Sequence, residues 1–163
     1  MMFAEMRRQD RLLSREETDQ ILARCGYGVL SMQDVSGYPY GVPVNYVYAN
    51  GKLYVHCARN AGQKAENLKR DDRVCFTVVG SEEVMPEKFG AKYESVVAFG
   101  RARQLDGDEK QAAMEAFIDK FCADYRAGGL KYIAGTAGRR EGSLDPGRYC
   151  RLAFPVMWSM AIS

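Results

Sequence analysis

The glycine-bounded basic turn Gly62-Gln63-Lys64 is one place in this 163-residue chain whose chemistry could hold an anion. A lysine carries a mobile positive charge with three donors. At the start of a short helix the first backbone N–H groups and the helix dipole add to it. Solvated lysines on helices are also common, so spacing alone leaves both roles open. His56, the single histidine, stands in a strand-like run beside Cys57. On the pleat, Leu53, Val55 and Cys57 point one way and Tyr54, His56 and Ala58 the other. In such a strand the ordinary reading of a lone imidazole is a packed, hydrogen-bonded side chain. Other chemistries lose ground by composition. No Gly-x-Gly-x-x-Gly or Walker-type loop is present, one histidine without an obvious serine nucleophile offers no triad, and no CxxC pair gives a metal knuckle. What remains is strands with aromatic and polar side chains on opposite faces and one basic, glycine-bounded turn. That combination suits a planar phosphorylated cofactor.

The elements that must position these residues follow from pattern. Ser14 and Glu17 make a capping box before Ile21, Leu22 and Cys25, which predicts a short helix ending at Gly26. From Gly28 the period falls to two, predicting strands over Gly28 to Gln33 and Tyr40 to Tyr48. Asn50-Gly51 predicts a type I′ hairpin into the strand from Lys52. Gly62 to Arg70 has helical composition, and Arg73 to Val79 is strand-like. Tyr93 to Leu105 is a further strand after a polar excursion containing Pro86 and Gly90. Met114, Phe117, Ile118, Phe121, Cys122 and Tyr125 predict one long helix from about Asp108 to Tyr125, with Asp108 and Gln111 as caps. Residues 126–147 are rich in glycine and arginine and read as a loop or lid, after which Arg148 to Ile162 is again strand-like. One domain over 1–163 is expected, with residues 1–27 as an N-terminal helix region. About six antiparallel strands with flanking helices make an α+β chain built on a closed or nearly closed barrel.

Lysine and arginine number 23 against 21 aspartates and glutamates, a net charge of +2 that leaves no footprint for nucleic acid or an anionic membrane. No stretch approaches the roughly 18 apolar residues of a membrane helix. The five cysteines are odd in number and widely spaced, and read as reduced core thiols in a cytoplasmic protein without a metal site.

Several of these segments match a known pattern in order. They are Gly41 to Tyr48 (GVPVNYVY), the Asn50-Gly51 hairpin, Leu53 to Ala58 (LYVHCA), Gly62-Gln63-Lys64, Asn67, Val74 to Val79, and Lys92 to Val96 (KYESV). Over roughly Met6 to Tyr125 the chain resembles the pyridoxamine 5′-phosphate oxidase-like superfamily, nearest its Nim-type, 5-nitroimidazole reductase-like branch. The resemblance implies an antiparallel, Greek-key split barrel that binds FMN at the interface of an obligate homodimer. It sets Val42, Asn45 and Tyr46 against the isoalloxazine, with Asn45 satisfying ring heteroatoms and Tyr46 as an aromatic wall. It puts His56, Cys57 and Ala58 beside the flavin, where an imidazole of pKa about 6.5 could deliver a proton. Gly62, Gln63 and Lys64 fall at the FMN phosphate, Gln63 standing where many relatives carry histidine. Tyr93, Glu94 and Ser95 would reach the site from the second subunit.

The activity this implies is an FMN-dependent oxidoreductase that takes electrons from a reduced nicotinamide or another donor and passes them to a small acceptor, nitroaromatics being the family's named substrates. One alternative is pyridoxamine or pyridoxine 5′-phosphate oxidation, for which Arg139, Arg140, Arg148 and Arg151 could bind the substrate phosphate. The other is a non-catalytic flavin- or haem-binding redox module.

Overall fold

The computed structural model describes residues 8–55, 62–136, 152–155 and 158–162. Its elements are α1 (Arg15–Arg24), β1 (Tyr27–Gln33), β2 (Pro39–Ala49), β3 (Lys52–Val55), α2 (Gln63–Arg70), β4 (Arg73–Met85), β5 (Gly90–Arg101), β6 (Arg103–Gln104), α3 (Gly107–Phe121), α4 (Arg126–Thr136), β7 (Leu152–Pro155) and β8 (Trp158–Ile162).

Local sequence accounts for the early elements. The Glu17 amide donates to Ser14 Oγ at 3.2 Å and the Ser14 amide to Glu17 Oε2 at 2.7 Å, closing the capping box of α1. Such a cap is worth about 1 kcal/mol. Asn50 and Gly51 take φ of 52° and 71°, the paired positive values of a type I′ turn. That turn fixes the register of β2 on β3, Ala49 opposite Lys52 and Tyr46 opposite Val55.

The strands form one antiparallel sheet in the order β6-β7-β3-β2-β1-β4-β5-β8. Within it, β1, β2 and β3 run as a meander and β4 returns beside β1, which is the Greek-key order. Only Ala102 separates β5 from β6, yet β6 ends the order on one side while β5 is next to last on the other. The sheet must therefore curl round to bring its ends together. It is also split. β2 pairs with β1 through Pro39 to Asn45 and with β3 through Tyr46 to Ala49, so one strand belongs to both halves. The α+β split barrel expected from the sequence is present, with β6 inside the strand-like stretch Tyr93 to Leu105 and β7 and β8 inside Arg148 to Ile162.

Inside the barrel, Leu30, Tyr46, Leu53, Val55, Phe76, Val78, Val96 and Ala98 are fully buried, and Ile21 and Leu22 of α1 close one end. At about 1.5–3 kcal/mol per large apolar side chain, this cluster dominates stability. A second cluster lies outside the sheet, where Tyr54 and Leu105 pack with Ala113, Met114 and Ile118 of α3 and Ile133 of α4. β3 is thus buried on both faces from Leu53 to Val55, which explains the apolar run of those three residues.

Four expectations need correction. Residues 126–136 are not loop but α4, which follows a 3-10 turn at Ala123–Tyr125. The glycines there serve packing, since a Cβ at Gly129 would lie 2.8 Å from Ile118 Cδ1 of α3. Residues 137–147 lie outside the described residues. The polar excursion after Val79 is paired β-structure, with Ser81 to Met85 facing Glu94 to Gly90 beyond a bulge. It lacks alternation because both of its faces meet solvent. Neither Asp108 nor Gln111 caps α3. Its N-cap is Asp106, and Gln111 instead bonds Glu115 at 2.8 Å. Finally, Cys122 is exposed at the end of α3 and Cys25 and Cys75 are half-buried, so these are not core thiols.

Among the described glycines, Gly28 marks the closest approach. A Cβ there would stand 2.7 Å from the Thr77 carbonyl oxygen and 2.6 Å from Phe76 Cε1. Gly28→Ala is expected to cost about 1 to 3 kcal/mol by overpacking. Chemical denaturation measures this, and an unchanged midpoint would mean that β1 and β4 are not so close.

Candidate cofactor site

Strand parity decides where the expected residues point. Along β2, Tyr40, Val42, Val44 and Tyr46 face the barrel core, while Gly41, Pro43 and Asn45 are exposed on the outer face. Val42 and Asn45 therefore do not share a surface. Tyr46 is 0% exposed and meets Phe76 edge-on at 5.0 Å between centroids. Its ring is core, not a wall offered to a ligand, which corrects the reading from sequence. Burial pushes its phenol well above the ordinary range, and its hydroxyl has no hydrogen-bond partner among the described residues. Lys120 Nζ sits 4.7 Å from the centroid of that ring and donates to the Cys25 carbonyl at 2.6 Å. Burial lowers the pKa of this amine.

Asn45 spends its amide on the Gly26 carbonyl, 3.1 Å away, and leaves its carbonyl oxygen to the outer face. Ser95 and the 46%-exposed Tyr93 share one face of β5. Ser95 lies across from Val79 of β4, and β1 and β4 stand between it and Asn45. Three strand spacings, about 14 Å, separate the two. A single chain does not bring them together. Glu94 points the opposite way, held by the Arg24 guanidinium and by Ser81 Oγ at 3.0 Å. His56, Cys57 and Ala58 lie outside the described residues, as do Arg139, Arg140, Arg148 and Arg151.

α2 gathers the anion-binding candidates. Gly62, with φ of 91°, starts the helix, and Gln63 and Lys64 occupy its first turn. Lys64 is half-buried and takes part in no ion pair among the described residues. Gln63 Nε2 reaches Asp34 Oδ2 at 3.4 Å and Arg70 donates to the Asp34 carbonyl at 3.2 Å, tying both ends of α2 to the turn between β1 and β2. One turn beyond Lys64, Asn67 is fully buried, and among the described residues neither its amide nitrogen nor its oxygen has a partner. An orphaned buried amide costs about 1–3 kcal/mol. A helix N-terminus, an unpaired ammonium and an unsatisfied amide together fit a phosphate monoester carrying further polar groups.

Sequence reasoning missed a cleft. It occupies about 460 Å³ over β1, β4 and β5, floored by Ser31, Cys75 and Phe99 and rimmed by Gln33, Arg73 and Arg101. That volume suits a small ligand. Its floor residues alternate with buried Leu30, Phe76 and Ala98, so strand parity was the signal available for them. Burial raises the Cys75 thiol pKa. Asp71, the C-cap of α2, borders the cleft, whereas Lys64 stands at the other end of that helix and does not line it. Among the described residues no group of three His, Cys, Asp or Glu could hold a metal, and no helix is long and apolar enough to cross a membrane.

The family model described as pyridoxamine 5′-phosphate oxidase matches residues 14–133. Among solved structures, the chain is similar to a 5-nitroimidazole antibiotic resistance candidate from Bacteroides thetaiotaomicron, with 21% identity and TM-score 0.69 over 93% of this chain and 84% of that one. It is similar to an FAD-binding protein from Mesorhizobium loti, with 21% identity and TM-score 0.62 over 93% of both chains. An FAD and heme binding protein from Mycobacterium smegmatis matches at 17% identity and TM-score 0.71, over 91% of this chain and 70% of that one. No curated protein matches the chain.

The cleft rim carries a pH-dependent element. Asp71 accepts the Arg73 guanidinium Nε at 2.9 Å and the Arg73 amide at 3.0 Å, bonds that hold its carboxyl at about 2 against an ordinary 3.8. Because the folded value is depressed, this contribution to stability is present above 3.8 and is lost as pH falls through about 2. Asp71→Asn should therefore lose less stability than the parent over that window, read from denaturation midpoints against pH. Parallel curves would remove Asp71 from the acid response.

Proposed function

The chain belongs to the pyridoxamine 5′-phosphate oxidase family, and on that premise we propose that it is an FMN-dependent oxidoreductase whose site is completed by a second copy of itself. The family also includes binding proteins, so the proposal rests on what the chain's own residues offer. The observation that carries it is the first turn of α2, where Lys64 is half-buried without an ion pair among the described residues and lies one turn from the orphaned amide of Asn67. Lys64 and the leading amides of α2 would hold the cofactor's phosphate. Asn67 would gain the partner it lacks.

A bound flavin supplies the electron transfer between a reduced donor, such as a nicotinamide, and a small acceptor such as a nitroaromatic. The protein's share is binding, orientation and protons. The outward carbonyl of Asn45 can orient a ring heteroatom. Ser95 and Tyr93, about 14 Å from Asn45 within one chain, would contribute from the partner, which is the reason for proposing a homodimer. His56 would supply the proton that accompanies reduction, a role that stands on the resemblance of its sequence context.

The visible spectrum of the purified protein is the first test, because flavin bands support this reading and a haem Soret band overturns it. Lys64→Ala should weaken FMN binding by about 1.5 to 3 kcal/mol, the size of a charge-assisted phosphate contact, while sparing riboflavin, which has no phosphate. Equal weakening of both ligands would assign Lys64 to the fold or to the ring. His56→Gln keeps size and hydrogen bonding but cannot titrate. It should retain FMN while single-turnover acceptor reduction falls by roughly 100-fold. Lost cofactor with normal turnover in the remaining holoenzyme would make His56 structural.

A further inference from the structure

β4 and β5 outrun the barrel. Beyond the bulge at Gly80 they continue as a two-stranded arm, and residues 81–93 are exposed except for half-buried Met85. A 3-10 turn at Pro86–Lys88 forms its tip, followed by Phe89. Phe89 adopts φ of 51° and is 99% exposed. A bulky residue in left-handed backbone is strained where glycine would be relaxed. Its ring also gains no burial within its own chain. Strain and exposure at one aromatic point to a contact outside that chain.

The same chain carries a receptor of matching chemistry. Between α3 and α4 runs an apolar groove of about 470 Å³, lined by Met114, Ile118, Phe121 and Tyr125 and opened by Gly128 and Gly129. Tyr125 is 78% exposed. Three consecutive residues link this groove to the root of the arm. Arg24 pairs with Glu94 of the arm, the Cys25 carbonyl accepts from Lys120 of α3, and a Cβ at Gly26 would lie 3.4 Å from the Phe121 ring. Arm and groove therefore flank the same end of the barrel, an arrangement that a two-fold axis can satisfy reciprocally.

We propose that Phe89 of each copy seats in the α3–α4 groove of the other, so that exchanged arms hold the homodimer together. This rests on the homodimer reading above and adds the contact that secures it. In a two-fold exchange each side presents the arm's thirteen residues and the groove's ten, a total inside the roughly 20 to 30 that each side of a standard interface engages.

Cys122 lines the groove and supplies a native probe. In Phe89→Cys, mild oxidation should give a disulfide-linked dimer on a non-reducing gel, with peptide mapping joining position 89 to Cys122. The band should vanish in the double variant with Cys122→Ser. Phe89→Ser should weaken self-association by roughly tenfold or more in sedimentation, as loss of a buried aromatic anchor does, with an unchanged melting curve once dissociated. A dimeric parent with no link to Cys122 and full self-association in Phe89→Ser overturns the arm contact and leaves the shared site standing. A link that survives Cys122→Ser, or that forms within a single chain, also overturns it. A parent that is monomeric at micromolar concentration overturns both readings.

Discussion

The double membership of β2 is the constraint on which the rest of the fold depends. Its first half pairs with β1 and its second with β3, and the strand crosses from one sheet half to the other between Asn45 and Tyr46. On either side of that crossing every second residue faces inward, so Val42, Val44 and Tyr46 build the core while Asn45 is left outside. A one-residue slip would bury an amide and expose a phenyl ring. The type I′ turn at Asn50-Gly51 prevents it by fixing the register of the partner strand. Because β3 is covered by the core on one face and by α3 on the other, the same register also sets where the helices dock.

Much of this was legible in the sequence because it is written in local chemistry. Ser14 and Glu17, the Asn50-Gly51 pair, and the alternation through Tyr40 to Tyr48 each specify a geometry within a few residues. What escaped detection depends on contacts that local pattern does not encode. The arm from Ser81 to Tyr93 lays neither face on the core and so shows no period. α4 hides behind glycines whose value is the closeness of Ile118, a residue on another helix. Tyr46 reads as strand from any angle, and only the register reveals that it lies inside.

The site divides along the same line. α2 forms where helical composition predicts it, while the assignment of a phosphate to Gly62-Gln63-Lys64 comes from the family resemblance. The cleft over Ser31, Cys75 and Phe99 could not be read from sequence, because it is assembled from three strands far apart in the chain. Polar residues on the outer face of a sheet look like ordinary solvated surface until their neighbours across the ladder are known. Asn45 and Ser95 show why composition alone misleads. They share a face but stand too far apart to meet in one molecule.

The single-residue link between β5 and β6 has a further consequence for how the chain reaches this state. β7 slots between β3 and β6, and β8 covers the free side of β5, so both outer edges are completed by strands encoded after everything they pair with. On a ribosome, β3 and β5 would emerge with one side of each ladder unsatisfied, and would stay so until the last strands cleared the exit tunnel. Open ladder edges recruit other chains as readily as their own. The interval between synthesis of α4 and of β8 is thus the period of greatest exposure to aggregation, and the one in which a holding chaperone would have most to protect.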